Sequence, residues 1–254
     1  MRVSRTERTF PLRARYRATG LAFTVALGLI ARTMGLKAEP PAGVNPPSVN
    51  PGINANFLDP DLDVDRFVDT FETESREIYS ARDAIVAAIG LKPGDRVADV
   101  GTGTGLFVRP LSESVGPDGW VFALDIAPKF LRRVAAIVDA GGLSNVTPVL
   151  CGEDSVSLPP DSVDVVFLCD VYHHFEYPTP SLASIRRLLR PGGRLILVDF
   201  ERIEGVSRDW VLGHVRADKA TFRKEIEAAG FTFVDEADVP GLSENYFLRF
   251  RLDR

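Results

Sequence analysis

The order of its apolar and helical segments is the feature of this sequence that most restricts the fold. From about residue 96 to residue 200, short apolar runs such as RVADV, WVFALDI and VDVVFLCDV alternate with segments of helical periodicity, notably PKFLRRVAAIVDAGG and PSLASIRRLLRPGG. Strands that alternate with helices form a parallel sheet through right-handed crossovers, with helices on both faces. We therefore predict a doubly wound α/β fold. Two later runs, FTFVDEADV and NYFLRFRL, predict an antiparallel pair at one edge.

A glycine-rich turn follows the first apolar run and contains Gly101, Gly103 and Gly105. Glycines at this end of a sheet let a ligand approach the backbone closely. The spacing is G-x-G-x-G with Leu106 next, not the G-x-G-x-x-G of dinucleotide turns, and the turn has no lysine for a phosphate-binding loop. Asp99 would repel a pyrophosphate but attract an ammonium or a sulfonium. The turn therefore favours a cationic ligand and disfavours a nicotinamide-dependent oxidoreductase.

Further acidic residues end the next two apolar runs. Asp125 ends the second run, where a carboxylate can accept both hydroxyls of a ribose. Glu153 and Asp154 follow the third run, where either can accept a hydrogen bond from an adenine amine. Three strand ends thus offer contacts for an amine, a ribose and an adenine.

These motifs together resemble the class I S-adenosylmethionine-dependent methyltransferases. VADVGTGTG is similar to the first motif of that family, ALDI to its ribose-binding acid, GEDSVSLPPDSVDVVFLCD to its adenine loop and fourth strand, and LLRPGGRLILVDF to the approach to its fifth strand. The resemblance covers about residues 78–251. It implies a Rossmann-like sheet of seven strands, mostly parallel, whose antiparallel last strand lies between the fifth and the sixth. It also implies S-adenosylmethionine as the cofactor.

The resemblance assigns several residues to the cofactor. Asp99 and the glycine turn would hold its methionine end, Asp125 its ribose, and Asp154 or Glu153 its adenine. The residues that we expect to bind the cofactor within the sheet are Asp99, Gly101, Thr102, Gly103, Gly105, Asp125, Ile126, Glu153, Asp154 and Asp170.

The segment LCDVYHHFEYP is similar to a branch of small-molecule methyltransferases, types 11 and 25, that carry His-His after the fourth strand. Tyr172, His173 and His174 are therefore candidate catalytic residues that orient or deprotonate an acceptor. The alternative is that one histidine packs under the next helix and the other is solvated. Farther along, His214 and Arg216 are candidate substrate-binding residues, because Arg216 would suit an anionic acceptor. Helix capping is the alternative role for Arg216.

The segment ahead of the first strand, within residues 64–90, predicts one or two helices. In the resembled family such a segment commonly covers the site, so we expect a lid in which Tyr79 and Arg82 meet the methionine carboxylate. The alternative is a solvated helix with i,i+4 ion pairs. Residues 39–63 are rich in Pro and Asn and predict an extended linker, which leaves residues 64–254 as the methyltransferase domain.

Residues 1–38 predict an export signal, because six arginines precede an apolar run at residues 18–31. That run is shorter than the about 20 residues that span a membrane. An uncleaved anchor, which would give membrane association, is the second reading, and an organellar or cytoplasmic location is the alternative. The basic residues lie mostly before the apolar run, which predicts that the following domain is outside the cytosol.

Charge and cysteine content exclude other functions. Without residues 1–38 the chain keeps 22 basic and 34 acidic residues, a net charge of −12, so we expect no general binding of nucleic acid. Cys151 and Cys169 are expected to be packing residues, with a disulfide possible only after export, and we expect no metal site. The function that we predict is methyl transfer from S-adenosylmethionine to a small-molecule acceptor. The alternative is an exported, non-catalytic binding module, because the donor is made in the cytosol.

Overall fold

Seven β-strands run through the residues that the computed structural model describes, which are residues 46–73 and 76–253. All of these residues lie in one unit, Gly43–Arg254. The strands are β1 (Arg96–Val100), β2 (Trp120–Asp125), β3 (Val146–Leu150), β4 (Val163–Cys169), β5 (Leu189–Phe200), β6 (Phe231–Glu236) and β7 (Asn245–Leu252). The helices in the same residues are α1 (Ala55–Leu58), α2 (Val64–Phe71), α3 (Glu77–Ser80), α4 (Arg82–Ile89), α5 (Val108–Val115), α6 (Pro128–Gly141), α7 (Pro178–Leu188), α8 (Asp209–His214) and α9 (Lys219–Ala228).

The strands form one sheet in the order β3-β2-β1-β4-β5-β7-β6. Strands β1 to β5 are parallel, and β7 pairs antiparallel with both β5 and β6. This confirms the seven-stranded, mostly parallel sheet, with its last strand between the fifth and the sixth. All the predicted site residues that follow β1, β2 and β4 therefore lie at the same edge of the sheet.

Two hydrophobic cores cover the two faces of the sheet, because neighbouring residues of a strand point to opposite faces. In β4, Val166 and Leu168 pack into the core beneath α7 and α9, whereas Val165 and Phe167 pack into the core beneath α4 and α5. Each of these four side chains is fully buried. The uninterrupted apolar run of β4 is thus the signature of a strand covered on both faces.

The segment of residues 64–90 forms three short helices, where the sequence predicts one or two. Asp63 caps α2 by accepting a hydrogen bond from the backbone N–H of Arg66. The helices α3 and α4 meet at Ala81, whose backbone (φ −92°, ψ 6°) leaves the helical geometry. Gly90 ends α4 in the left-handed conformation at φ +66°.

Residues 46–63 differ from the predicted linker, because they fold onto the domain. Ser48 Oγ and the backbone N–H of Gly52 donate hydrogen bonds to the carboxylate of Glu176, at 2.7 and 3.0 Å. Leu62 packs with Phe130 of α6 in a small third core, which also takes up aromatic side chains from α1 and α2. Burial of these apolar side chains outweighs the turn-forming composition on which the linker prediction rested.

The predicted export signal, residues 1–38, lies outside the described residues. Within the described part of the chain, no helix is both long and apolar enough to cross a membrane. Cys151 and Cys169 are free thiols and half-buried. Burial raises the pKa of the Cys151 thiol to about 12 and that of Cys169 well above its usual range, so both remain protonated.

Candidate functional site

The glycine turn after β1 is anchored to the neighbouring strand. The backbone N–H groups of Gly101 and Thr102 donate to the carbonyl of Leu124, at 2.8 and 2.9 Å. Gly101 has φ +74°, and a Cβ placed on it would lie only 2.2 Å from Cγ2 of Val171. A glycine is required here both for its left-handed backbone and for the close approach of the segment that follows β4.

The other two glycines of the turn have different roles. Gly103 faces the cavity, and the nearest atoms to a Cβ on it belong to Phe71 at 3.9 Å, so a ligand has room above it. A Cβ on Gly105 would lie 3.0 Å from Ile137 and 3.2 Å from Val134, both on α6. Gly105 therefore permits helix packing, and it does not line the cavity as the resemblance implied.

Asp99 lies at the end of β1, on the cavity wall and almost fully buried. Its carboxylate accepts a hydrogen bond from Thr102 Oγ1 at 2.7 Å. Asp99 and Thr102 are both among the residues that the sequence predicted to bind the cofactor. Burial raises the pKa of Asp99 from 3.8 to about 7, with repulsion from Asp125 as a smaller cause. A buried carboxylate of this kind gains most from a cationic partner, because such a partner restores the ionised form.

Asp125 ends β2 and lines the same cavity, next to Ile126. Its carboxylate accepts hydrogen bonds from the backbone N–H groups of Gly103 and Ala127, each at 2.8 Å. Burial raises the pKa of Asp125 to about 6, although both hydrogen bonds oppose the shift. The two hydrogen bonds fix the carboxylate between the first and second strand ends, where the ribose-binding role was predicted.

Of the predicted adenine pair, only Glu153 lines the cavity. Asn54, from the segment predicted as a linker, donates from Nδ2 to the Glu153 carboxylate at 3.3 Å and to the carbonyl of His174 at 3.1 Å. Asp154 is not among the cavity-lining residues. Of the two acids that the sequence left open, Glu153 is therefore the one placed to reach a ligand in the cavity.

Asp170 immediately follows β4 and has a left-handed backbone, φ +51°, which is strained for a residue other than glycine. Its carboxylate forms an ion pair with Arg76 and accepts a hydrogen bond from Asn245 Nδ2 at 2.6 Å. Burial raises the pKa of Asp170 to about 6, while the charge of Arg76 opposes the shift. Asp170 therefore connects three parts of the fold at the cavity wall. It follows β4, and it contacts Arg76 from the segment ahead of the sheet and Asn245 of β7.

Three histidines form the other end of the cavity. Nδ1 of His173 lies 2.7 Å from Oδ1 of Asp199, and the backbone N–H of His173 donates to Oδ2 of the same carboxylate at 3.2 Å. His174 Nε2 lies 3.3 Å from His214 Nε2, and the Trp210 ring stacks on His214 with 4.6 Å between centroids. His173 and Asp199 are both fully enclosed by protein.

Tyr172 and Arg216 are not at the cavity, which corrects two of the predicted roles. Tyr172 is fully buried in the core beneath α7 and α9, and its hydroxyl donates to Glu225 at 2.8 Å. Burial raises the pKa of Tyr172 far above its usual range. Arg216 donates two hydrogen bonds to the same Glu225 carboxylate and lies over the Phe222 ring at 4.6 Å. Tyr172 and His173 are neighbours in a single 3₁₀ turn, Tyr172–His174. Successive side chains of such a turn point about 120° apart, so Tyr172 enters the core while His173 faces the cavity.

Tyr79 and Arg82 also lie outside the cavity lining. Arg82 pairs with the neighbouring Asp83 at 3.1 Å and lies over the Tyr79 ring at 6.0 Å. Their place outside the cavity agrees with the solvated alternative, although Arg82 pairs at i,i+1 and not at i,i+4. The arginine that reaches the site from this segment is Arg76. No periodic pattern marks Arg76, because it lies in the break between α2 and α3.

Three further site residues were missed from the sequence. Asp199 ends the apolar run RLILVDF, so it could have been found by the same strand-end rule as Asp125. Asn54 and Asn245 carry no such signal, since each reaches the site only through folding of a distant segment.

The cavity that joins these residues has a volume of about 710 Å³ and extends from the glycine turn to the three histidines. This volume is within the range of cofactor and small-molecule sites, about 300–1,000 Å³. Carboxylates dominate one end, and imidazoles and aromatic rings dominate the other. The site can therefore hold a cationic, ribose-containing ligand beside a second, flatter molecule.

Comparison with known proteins identifies methyltransferases as relatives of this chain. Residues 98–197 match a family described as a methyltransferase domain. The chain is 30% identical over 119 residues to the ubiquinone/menaquinone biosynthesis C-methyltransferase UbiE of Cupriavidus taiwanensis, a match that covers 46% of this chain and 48% of the relative. It is 32% identical over 114 residues to the protein of the same name from Ectopseudomonas mendocina, with 44% of each chain covered. The matches thus span about half the length of these curated relatives.

Among solved structures, a SAM-dependent methyltransferase from Aquifex aeolicus aligns with a TM-score of 0.65 at 24% identity and covers 75% of this chain and 98% of its own. At this identity the likeness establishes the fold alone. The family and the fold imply S-adenosylmethionine as the cofactor. The comparisons give no support to the alternative of a non-catalytic binding module.

Proposed function

We propose that this chain, which belongs to the class I S-adenosylmethionine-dependent methyltransferase superfamily, transfers a methyl group to a small-molecule acceptor. One observation carries the proposal: a single cavity has buried carboxylates at its glycine turn and three imidazoles at its far end. A methyltransferase needs this division, because one end must bind a cationic donor and the other must present an acceptor in line with the methyl group.

The donor end consists of Asp99, the turn at Gly103 and Asp125. In this proposal the ionised Asp99 carboxylate attracts the positive charge of the methionine portion. Asp125 accepts hydrogen bonds from the ribose hydroxyls, and Glu153 accepts from the adenine amine. When bound, S-adenosylmethionine supplies a methyl group activated by its sulfonium.

The acceptor end consists of His173, His174 and His214. Nδ1 of His173 lies 2.7 Å from Oδ1 of Asp199, so in this proposal the carboxylate accepts from Nδ1–H, and Nε2 is the nitrogen that can take up a proton. A base so held can take a proton from an acceptor hydroxyl, amine or activated carbon. If the acceptor has no proton to lose, His173 and His174 act only by orienting it.

The lining of this end favours a flat, aromatic acceptor. Phe57, Phe200 and Trp210 all border the cavity beside the histidines, and offset or edge contacts between such rings stabilise a bound aromatic molecule. The curated relatives are named as quinone-pathway C-methyltransferases. We infer that the acceptor is a quinol or a related phenol.

Titration calorimetry of S-adenosylmethionine and S-adenosylhomocysteine into the purified protein tests the proposal. We expect binding in the micromolar range, about −8 kcal/mol. Asp125→Ala should weaken it more than about 100-fold, because two hydrogen bonds to a charged group are lost. Asp118→Ala is the matched control, since Asp118 is exposed and outside the cavity lining. A folded protein that binds neither compound would refute the proposal and favour the binding module.

We also propose that the domain functions outside the cytosol. The arginines and the apolar run in residues 1–38 support this location. A reporter that is active only in the periplasm, fused to the C-terminus, tests it. Reporter activity that depends on residues 18–31 is the expected result, and an inactive reporter would reject export.

A further inference from the structure

The chain contains three histidines, and all three meet at the acceptor end of the cavity. One ring nitrogen from each lies within 4.8 Å of one from each of the others. They come from two parts of the fold, because His173 and His174 follow β4 while His214 ends α8.

The nitrogen separations fit a tetrahedral metal site. Metal–nitrogen bonds of about 2.0–2.1 Å in tetrahedral geometry place ligand nitrogens about 3.3–3.4 Å apart. His174 Nε2 and His214 Nε2 are 3.3 Å apart. Given the 4.8 Å limit, the distances from the His173 nitrogen to the other two ligands would each shorten by at most about 1.4 Å to reach the same spacing.

His173 already has the orientation of a metal ligand. Its Nδ1 is held by Asp199 at 2.7 Å, and Oδ1 of Asp199 is itself fixed by the backbone N–H of Phe200 at 2.8 Å. A carboxylate behind a histidine is the usual outer partner of metal-binding imidazoles, because it fixes the tautomer and raises the basicity of the other nitrogen.

The other two imidazoles face each other through their Nε2 atoms, which are 3.3 Å apart. A hydrogen bond between two imidazoles uses one N–H and one lone pair, whereas a cation bound to both rings would use both lone pairs. The same pair of nitrogens can therefore serve as two metal ligands.

We propose that His173, His174 and His214 bind one divalent transition-metal ion, and that Zn²⁺ is the ion that fits. Imidazole suits Zn²⁺, and three histidine ligands with an open fourth position are typical of catalytic rather than structural zinc sites. The open position faces the cavity, where it can take a water or an acceptor hydroxyl. This site departs from the expectation of no metal drawn from the sequence.

A bound metal would change the role of His173, because the lone pair on Nε2 cannot both accept a proton and bind the ion. The ion would bind the acceptor oxygen and lower the pKa of its hydroxyl, so that the proton leaves to water. This consequence rests on the proposed function, whereas metal binding itself does not. Direct measurement of metal affinity therefore separates the two proposals.

The test is calorimetric titration of ZnCl₂ into the full-length protein after treatment with EDTA, with Co²⁺ as a spectroscopic probe of tetrahedral coordination. We expect one equivalent of Zn²⁺ to bind with Kd below about 1 µM. His214→Ala should weaken binding at least about 100-fold, since one of three ligands is lost, and Asp199→Asn about tenfold. Cys169→Ser is the matched control, because Cys169 is a thiol that lines the cavity, as Cys151 does, and lies outside the cluster.

Circular dichroism and titration of S-adenosylhomocysteine check that each variant is folded, and His174→Ala replaces His214→Ala if the latter is not. If folded wild-type protein does not bind Zn²⁺ stoichiometrically, the proposed metal site is wrong. The cluster would then be explained by the hydrogen bond between His174 and His214. Binding that survives His214→Ala would overturn it equally. Zn²⁺ binding without S-adenosylhomocysteine binding would instead leave the metal site standing and refute the proposed methyl transfer.

Discussion

The two ends of the cavity are built in different ways. The carboxylate end comes from one continuous stretch, β1, its glycine turn and β2, in which Asp99 and Asp125 are linked through Thr102 and Gly103. The histidine end collects side chains that follow β4, end β5 and end α8. The first end is therefore a local motif, and the second depends on the packing of distant segments.

The two ends also differ in charge. Asp99 and Asp125 are carboxyl groups whose pKa values burial raises to about 7 and about 6, so they gain from a cation. At the opposite end, burial lowers the pKa of His174 to about 2 and lowers that of His214, so neither of these imidazoles is charged at neutral pH. A carboxylate end that attracts a cation, beside imidazoles that do not repel it, suits the transfer of a group whose charge disappears in the reaction.

The largest expected effect comes from Gly101→Ala, which alters the glycine turn at the carboxylate end of the cavity. The new methyl group would clash with Val171, and the left-handed backbone adds strain. We expect the free energy of unfolding to fall by more than about 3 kcal/mol and cofactor binding to be lost. Gly142→Ala is the control, because Gly142 is also left-handed (φ +61°, ψ 32°) but has no atom within 4 Å of its Cβ position. Chemical denaturation should show a loss of only about 1 kcal/mol for the control. Similar losses for both variants would contradict the close approach at Gly101.

Asp199→Asn should affect the histidine end alone. An amide can donate to Nδ1 of His173 and so favour the wrong tautomer, which removes the lone pair from Nε2. We expect kcat to fall at least about 100-fold while the affinity for S-adenosylmethionine changes less than about twofold. Asp164→Asn serves as the control, since Asp164 pairs with Arg190 away from this cavity. A variant that loses affinity but keeps kcat would show that the two ends are not separable.

A moderate, pH-dependent effect is expected for Asp99. Because burial raises the pKa of Asp99 to about 7, its carboxyl becomes neutral as the pH falls through 7, and its attraction for the cationic donor is lost. The affinity for S-adenosylmethionine should therefore fall roughly tenfold between pH 7.5 and pH 6. Asp99→Asn should bind more weakly at pH 7.5 and show a flatter profile in calorimetry. An unchanged slope would assign the titration to another group, such as Asp125.

The smallest effect on activity is expected for Tyr172→Phe. The hydroxyl of Tyr172 contacts Glu225 in the core and does not line the cavity. We expect kcat to change less than about twofold and the free energy of unfolding to fall by about 1 kcal/mol, the value of one hydrogen bond. Urea unfolding and steady-state kinetics measure the two quantities. A tenfold loss of kcat would instead support the catalytic role that the sequence predicted for Tyr172.

The sequence predicted the sheet well because strand and helix periods are local signals. The alternation of short apolar runs with helical stretches predicted the parallel sheet, and the final pair is antiparallel as expected. The place of the last strand between the fifth and the sixth came from the family resemblance. It predicted less well where segments are short. The helices α2 to α4 break within residues that show continuous helical periodicity, and residues 46–63 fold onto the domain despite a linker-like composition.

By itself, the sequence determined the core of the carboxylate end, since Asp99 and the glycines lie within a few residues of one another at the end of β1, and Asp125 ends the neighbouring strand β2. Only the tertiary structure decided the histidine end and the charge around it. It turned Tyr172 into the core and Arg216 towards Glu225, and it brought Arg76 in place of Arg82 to Asp170. It also joined His214 to His173 and His174 across 40 residues of sequence. Such contacts depend on which faces of separate elements are buried together, and a local sequence pattern does not predict this.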